Sequence, residues 1–217
     1  KHRQEPFFLC LHHFAVHSPH HSKPALAARF EDKLPVGGHK SPVYAGMISS
    51  VDESVGRVLA KLDALKLTDK TLVIFSSDNG GVGGYAAAGV ANAGDITDNA
   101  PLRGGKGWLY EGGIRVPYIF RWPGHVAPDT ICDEPINSVD LYPTLLELAG
   151  ARPAPDYPLD GVSYVACLTS GGKAQLARDG IYWHFPGYLG SGKDSWRTTP
   201  AGAIRAGQYK LLEFFED

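Results

Sequence analysis

A strand–helix–strand pattern in the first third of the chain most constrains the fold. Residues 7–11 (FFLCL) form a short apolar run without helical spacing, which predicts a buried strand in a parallel sheet. Residues 46–66 repeat apolar side chains at steps of three and four, which predicts an amphipathic helix. Residues 71–75 (TLVIF) are rich in β-branched residues and predict a second buried strand. This order predicts a βαβ unit with a right-handed crossover, and therefore an α/β fold.

Two further elements extend this pattern. Residues 114–122 predict a third strand, which is irregular or lies at a sheet edge because it contains Pro117. Residues 138–149 predict a helix with an apolar face of leucines, capped by Ser138 or Asp140.

Beyond about residue 160 the chain changes character. Short apolar pieces alternate with turn signals, which predicts a small antiparallel sheet packed on the α/β part. The pieces are YVACL (164–168), GIYWHF (180–185), AGAIRAG (201–207) and YKLLEFF (209–215). We therefore expect an α/β domain over residues 1–160 and a small antiparallel subdomain over residues 161–217.

Composition excludes several classes of protein. The formal net charge of −2 argues against a nucleic-acid partner held by electrostatics. Apolar runs reach only four or five residues, whereas a membrane-spanning helix needs about 20, so we expect no membrane span. Cys10, Cys132 and Cys167 form no CxxC pair, which predicts three buried thiols and neither a disulfide framework nor a zinc knuckle.

The loop after the first predicted strand is rich in histidine. Seven of the nine histidines fall within the first 39 residues, and His17 and His20 flank Ser18-Pro19. Ligands collect at the carboxyl ends of strands in open α/β sheets, where histidine serves as an acid, a base or a metal ligand. A solvated loop without function explains the same pattern. A zinc site from His12, His17 and His21 is a weaker alternative, because their spacing does not match the helical H-E-x-x-H motif.

Asp78 and Asn79 directly follow the second predicted strand and precede two glycines. Adjacent carboxylate and amide oxygens at a strand end suit a hard cation such as Ca²⁺ or Mg²⁺. Two ligands do not complete a six- to eight-coordinate shell. The alternative is an ordinary D-N-G-G turn.

The run LRGGKGWLYEGGIRVP (102–117) surrounds Lys106 with glycines. This arrangement lets an ammonium and backbone N–H groups meet an oxyanion, although the spacing differs from that of a nucleotide-binding P-loop. A glycine-rich turn with solvated basic residues is the alternative. In the C-terminal part, His184 lies among aromatic residues and either points into the cleft or belongs to the small sheet.

Taken together, these segments resemble the formylglycine-dependent, arylsulfatase-like sulfatases of the alkaline-phosphatase superfamily. The resemblance covers nearly the whole chain, and its parts stand in the family's order. They are PFFLCLHHFAVHSPH (6–20), SDNGG (77–81), LRGGKGWLYEGGIRVP (102–117), RWPG (121–124), SVDLYPTLLELAG (138–150), LDG (159–161) and AIRAGQYKLLEFFED (203–217). The resemblance implies part of an alkaline-phosphatase-like α/β sandwich with a predominantly parallel sheet.

Roles follow from the resemblance residue by residue. His17 matches the histidine that contacts the sulfate group and helps the leaving oxygen to depart. Asp78 and Asn79 match two of the four protein ligands of an active-site Ca²⁺, and Lys106 matches the lysine that holds a sulfate oxygen. His20 falls where many bacterial relatives carry another histidine of the substrate pocket.

The chain departs from the family pattern at the nucleophile. The family's C/S-x-P-x-R motif, whose cysteine or serine becomes formylglycine, is absent, and so is its early Asp-Asp metal pair. We therefore expect the C-terminal portion of a sulfatase, with the nucleophile and two metal ligands upstream, and no turnover by this chain alone.

The expected parent is a sulfuric-ester hydrolase that acts on a sulfated glycan or an aryl sulfate. The alternatives are a phosphate or phosphonate monoester hydrolase of the same superfamily, and a non-catalytic protein that binds sulfate esters. The resemblance implies a periplasmic, secreted or lysosomal location, although no signal peptide is visible. The sequence leaves the oligomeric state open.

Overall fold

The structure is a computed structural model that describes residues 5–86, 95–191 and 196–216. The chain divides into two compact units. The first unit contains residues 1–71, 77–116 and 189–198, and the second contains 72–76, 117–188 and 199–217. These units interleave along the chain and differ from the predicted segments 1–160 and 161–217, whose status as separate domains stays a prediction.

The long helix of the first unit confirms the periodicity at 46–66. Helix α2 spans Pro42–Ala64 and follows the short helix α1, Pro24–Ala27. It begins where it does because the Ser41 side chain accepts a hydrogen bond from the N–H of Tyr44, and because proline fits the first helical turn. It ends at Leu65 and Lys66, where Lys66 takes a left-handed backbone conformation (φ 55°) that normally favours glycine.

The second predicted strand forms, but its partner differs from the prediction. Strand β1, Val73–Ser76, pairs antiparallel with β2, Tyr118–Arg121, so that Val73 faces Arg121. Strand β2 begins only after Pro117, because proline donates no hydrogen bond to a ladder, and residues Glu111–Ile114 before it form the short helix α3. The predicted parallel βαβ pairing is therefore wrong for these strands.

The prediction of a buried strand at residues 7–11 is also wrong. These residues form no β-ladder, and Phe8 and Leu9 are 73% and 64% exposed. A strand exists only where a neighbouring strand supplies its hydrogen bonds, and the described part of the chain supplies none here.

The predicted antiparallel sheet in the C-terminal part is confirmed. The strands of this part are Ile181–Phe185 (β3), Leu189–Ser191 (β4), Trp196–Thr198 (β5), Ala201–Ala206 (β6) and Tyr209–Phe214 (β7). Three of them pair in the order β3-β6-β7, and a separate two-stranded ladder joins β4 to β5.

The segment YVACL (164–168) is a helix and not a strand. Helix α5 spans Val165–Thr169, and its buried residues Cys167 and Leu168 form one cluster with Tyr164, the residue just before the helix. Their spacing of three and then one residue places them on one helical face, which packs on Phe120 of strand β2. A five-residue apolar run is too short for its period to separate a helix from a strand.

The helix predicted at 138–149 forms as a short 3₁₀ turn, Ser138–Asp140, followed by α4, Leu141–Leu148. The cap is Asn137, one residue before Ser138 and three before Asp140, which were the predicted candidates. The Asp140 side chain completes a capping box by accepting a hydrogen bond from the Asn137 N–H at 2.6 Å. The Asp140 carboxylate is fully buried and also accepts two hydrogen bonds from Arg178, at 2.8 and 2.9 Å. This charge pair anchors α4 within the second unit.

Only one of the three cysteines is buried as predicted. Cys167 lies in the apolar cluster around α5, whereas Cys10 and Cys132 are exposed. Cys10 belongs to the segment that has no strand partner, which explains its exposure.

Candidate active site

The turn that carries Asp78 and Asn79 begins directly after strand β1. The Ser77 hydroxyl donates to the backbone oxygen of Asn79 at 2.8 Å, and the Asn79 side-chain N–H₂ donates to the oxygen of Gly80 at 2.9 Å. Because the Asn79 amide nitrogen serves the turn, its amide oxygen is the atom that suits a cation. Asp78 is exposed and Asn79 half-buried, so the turn is open to solvent at Asp78.

The loop that carries Lys106 packs directly on this turn. The backbone N–H of Lys106 donates to the oxygen of Gly81 at 3.0 Å, and the Tyr85 hydroxyl donates to the oxygen of Lys106 at 2.6 Å. A side chain at Gly105 would place its first carbon 2.5 Å from the oxygen of Gly81 and 2.2 Å from that of Gly83. The glycine is needed because two backbone segments meet there without room for a side chain. The structure therefore places the backbone of Lys106 against Gly81, two residues after Asn79. Convergence of the three side chains on one point stays a prediction.

Asn99 joins the same two loops and was missed by the sequence analysis. Its side-chain oxygen accepts from the N–H of Gly81 at 3.0 Å, and its side-chain nitrogen donates to three carbonyl groups. These belong to Gly81 at 3.0 Å, Gly83 at 3.2 Å and Gly104 at 3.0 Å. A single amide thus uses both ends to hold the two glycine-rich loops at a fixed separation. The only signal in the sequence is a lone asparagine placed between two glycine-rich segments.

An aromatic cluster supports the Lys106 loop from within the first unit. Trp108 makes edge-on contacts with Tyr85 and Tyr110, with ring centres 5.7 and 5.3 Å apart. The Arg103 guanidinium lies over the Tyr110 ring at 4.0 Å. Edge-to-face aromatic contacts and a close cation–π contact both restrict side-chain motion, so the loop around Lys106 is held from both flanks.

His17 is exposed, and its geometry selects one tautomer. Its Nδ1 lies 2.8 Å from the backbone oxygen of Ser18, which only accepts hydrogen bonds. Nδ1 therefore carries a proton, and in the neutral ring Nε2 keeps its lone pair. The ring also packs against Phe14 at 5.6 Å.

The rest of the histidine loop is attached to helix α2. His20 is half-buried and contacts the Tyr44 ring edge-on at 5.9 Å, and burial raises the pKa of Tyr44. His13 Nε2 lies 2.8 Å from the Ser54 hydroxyl. The contacts described for His17 and His20 lie within their own loop and on α2. Their convergence with Lys106 on one cleft therefore stays a prediction.

His184 lies on strand β3 opposite Gly202. It is exposed, and its ring packs against Phe215 at 5.5 Å. These contacts belong to the second unit, and a role of His184 in substrate binding stays a prediction.

The residues present fit part of a shell for a hard cation. Asp78 and Asn79 offer one carboxylate and one amide oxygen, which are donors that Ca²⁺ and Mg²⁺ prefer. Within residues 5–86, 95–191 and 196–216, no three His, Cys, Asp or Glu side chains are grouped so that they would hold a metal ion. The described residues therefore offer a partial set of ligands, and the predicted zinc site from three histidines gains no support.

Family models match the chain over most of its length. A model described as "Sulfatase" matches residues 1–151, and a model described as "N-sulphoglucosamine sulphohydrolase, C-terminal" matches residues 105–217. The chain belongs to the sulfatase family. The resemblance inferred from the sequence is thereby confirmed, and the two matches together include both glycine-rich loops of the site.

Individual sulfatases align along nearly the same span. A sulfatase of Formosa agariphila is 36% identical over 98% of this chain and 38% of its own length. Mouse steryl-sulfatase is 36% identical over 85% of this chain and 28% of its own length. The chain thus spans less than two fifths of the length of these curated relatives.

Solved sulfatase structures share the fold. Ps i-CgsB superposes on this chain with a TM-score of 0.73 and is 31% identical to it in sequence. The match covers 93% of this chain and 40% of the Ps i-CgsB chain. It has also been solved in complex with k-i-k-neocarrahexaose. The chain accordingly has the mixed α/β architecture of the alkaline-phosphatase-like sulfatases, which confirms the predicted fold class. Among the described residues, no helix combines the length and apolar character that crossing a membrane requires.

Proposed function

We propose that this chain supplies the cation-binding turn and the sulfate-holding lysine of a sulfuric-ester hydrolase. The observation that carries the proposal is the contact between two loops. The Lys106 backbone bonds to Gly81, and Asn99 holds both loops together beside Asp78 and Asn79. A cation and an ammonium placed beside each other suit an ester group that carries negative charge.

Lys106 and His17 have different proposed roles. The Lys106 ammonium donates to a sulfate oxygen and stabilises charge that grows in the transition state. With both ring nitrogens protonated, His17 keeps its Nδ1–H on the Ser18 carbonyl, and Nε2 transfers its proton to the leaving alcohol oxygen.

Asp78 and Asn79 would hold a divalent cation, with Ca²⁺ preferred and Mg²⁺ as the alternative. When bound, the cation supplies Lewis-acid stabilisation of the sulfate oxygens. The attacking group is proposed to be a formylglycine outside this chain, because the C/S-x-P-x-R motif is absent from its 217 residues. We expect the chain alone to bind Ca²⁺ weakly or not at all, since it offers two oxygen ligands where the ion takes six to eight.

A sulfated carbohydrate is the proposed substrate class. Support comes from Ps i-CgsB, 32% identical to this chain, whose structure was solved in complex with k-i-k-neocarrahexaose. His20 and His184 are the side chains proposed to contact the substrate around the sulfate group. An aryl sulfate is the simplest probe of the same chemistry. The proposed location is periplasmic, secreted or lysosomal, as the family resemblance implies.

The test compares a sulfate ester and a phosphate ester of the same aryl alcohol in one assay. The protein that contains this chain is co-expressed with a formylglycine-generating enzyme and incubated with an aryl sulfate and with the matching aryl phosphate. We expect sulfate release that stops when a chelator removes the cation and returns when Ca²⁺ is added. Hydrolysis of the phosphate ester alone would establish the phosphate or phosphonate monoester hydrolase instead. Binding of sulfate esters without hydrolysis of either would establish the non-catalytic alternative.

A further inference from the structure

Two of the three cysteines meet in the second unit, although they lie 35 residues apart in sequence. Cys167 is 4% exposed and belongs to the apolar cluster of helix α5. Cys132 lies on the loop before helix α4 and is exposed. The Cys132 thiol is among the neighbours that raise the pKa of the Cys167 thiol, so the two side chains lie close in space. One member of the pair is thus open to solvent and the other is enclosed.

The turn after helix α5 fixes this contact. The N–H of Gly172 donates to the oxygen of Cys167 at 3.0 Å, and Gly172 has a positive φ of 80°. A side chain at Gly172 would place its first carbon 3.1 Å from the Cα of Cys132 and 2.4 Å from the oxygen of Ile131. Only glycine allows this approach, so the backbone beside Cys132 lies directly against the turn that follows Cys167.

Further contacts hold the same two segments side by side. The Glu134 carboxylate accepts from the N–H of Leu176 at 3.1 Å, and Arg178 donates to the oxygen of Pro135. The Cys167 thiol donates to the oxygen of Ala174 at 3.4 Å. Residues 132–135 are therefore attached to residues 174–178 just beyond the cysteine pair, which keeps the two thiols together in the folded chain.

We propose that Cys132 and Cys167 form a reversible disulfide that fastens the loop before α4 to helix α5. The oxidant is a small-molecule disulfide such as oxidised glutathione. The Cys132 thiolate attacks one glutathione sulfur and releases the first glutathione as a thiolate. Cys167 then loses its proton and attacks the Cys132 sulfur, which releases the second glutathione. Two protein thiols are oxidised and one glutathione disulfide is reduced to two thiols.

The different surroundings of the two thiols set the order of these steps. Burial, and then the neighbouring Cys132 thiol, raise the pKa of Cys167 to about 11. Cys167 therefore stays protonated near neutral pH and is closed to bulk solvent, so a dissolved disulfide reacts first at Cys132. Cys167 completes the exchange because the turn at Gly172 holds it beside Cys132.

The experiment maps the disulfide in the protein that contains this chain. The protein is incubated with oxidised or reduced glutathione, alkylated with iodoacetamide after denaturation, and cleaved after glutamate. Cleavage after Glu111 and Glu147 separates Cys132 from Cys167, and Glu134 stays uncut because Pro135 follows it. Trypsin leaves both cysteines in one peptide, because Pro153 follows Arg152. Cys10 is the internal control, since it is an exposed thiol in the first unit.

We expect oxidised glutathione to join peptides 112–147 and 148–213 and to leave Cys10 outside any cross-link. The melting temperature of the oxidised protein should rise by several degrees, because the new bond restricts the unfolded chain. The Cys132→Ser variant should lose both effects. A stable glutathione adduct on Cys132 with Cys167 still alkylated would overturn the proposal, as would random cross-linking that includes Cys10. A cross-link without a rise in melting temperature would overturn the claim that it fastens the loop.

Discussion

Replacing Asn99 by alanine tests whether one side chain holds the two loops of the site together. The substitution removes four hydrogen bonds of 3.0 to 3.2 Å to the backbones of Gly81, Gly83 and Gly104. The amide has two N–H groups for three carbonyls, so the side chain makes the equivalent of three full hydrogen bonds. At about 1 kcal/mol net for each, the expected loss in free energy of unfolding is about 3 kcal/mol. Gly83 and Gly104 are buried, and water therefore does not readily replace the lost donor.

The assay is urea unfolding monitored by tryptophan fluorescence, because Trp108 lies in the same loop cluster. The dependence of the free energy of unfolding on urea concentration should have the same slope in the variant and the wild type. Asn137→Ala is the matched control: it removes a helix cap in the second unit and should cost about 1 kcal/mol. Asn99→Asp keeps the side-chain shape but turns an oxygen towards three carbonyl oxygens, so it should destabilise at least as much as alanine. The reasoning is refuted if Asn99→Ala costs no more than Asn137→Ala, or if Asn99→Asp resembles the wild type.

Three further predictions concern single side chains. Arg178→Ala leaves the buried Asp140 carboxylate without its charge partner and should lower the free energy of unfolding by about 3–5 kcal/mol in the same urea assay. Backbone hydrogen bonds to the Asp98 carboxylate, above all the one donated by the N–H of Ala100, lower the pKa of Asp98. The ionised carboxylate therefore stabilises the fold at neutral pH, and this contribution is lost as the pH falls below the unfolded-state pKa of about 4. Asp98→Asn should flatten the acid side of the melting-temperature profile, and an unchanged profile would contradict this cause. In the active protein, Lys106→Ala should lower kcat by about 10²–10³, and an unchanged kcat would remove the proposed role of this lysine.

The sequence predicted those elements whose signals are local. Helix α2 shows its apolar period over many turns and carries a serine cap, and the strands at 181–185, 201–206 and 209–214 are bounded by turn residues. Residues 7–11 show the limit of this reasoning, because an apolar run becomes a strand only when another strand supplies its hydrogen bonds. The run 164–168 failed for a different reason, since five residues are too few to reveal a helical period.

The sequence analysis singled out candidate chemical groups and missed a side chain that holds their loops together. Asp78 and Lys106 stand out because their residue types and flanking glycines suggest a ligand. Asn99 does not stand out, because its partners are backbone carbonyls that approach it only after two distant loops have packed. The contact between Cys132 and Cys167 is hidden in the same way, since it depends on the close approach at the turn after α5.

The most direct test of the central claim is the coupling between cation and anion at one site. Inorganic sulfate is titrated calorimetrically into the protein that contains this chain, with and without Ca²⁺. If Asp78 and Lys106 belong to one site, Ca²⁺ should tighten sulfate binding by about 5-fold or more, the usual lower range of coupling between sites. Lys106→Ala should weaken sulfate binding, whereas Lys70→Ala, at the opposite end of strand β1, should leave it unchanged. A sulfate Kd that is the same with and without Ca²⁺, and the same in both lysine variants, would contradict the account.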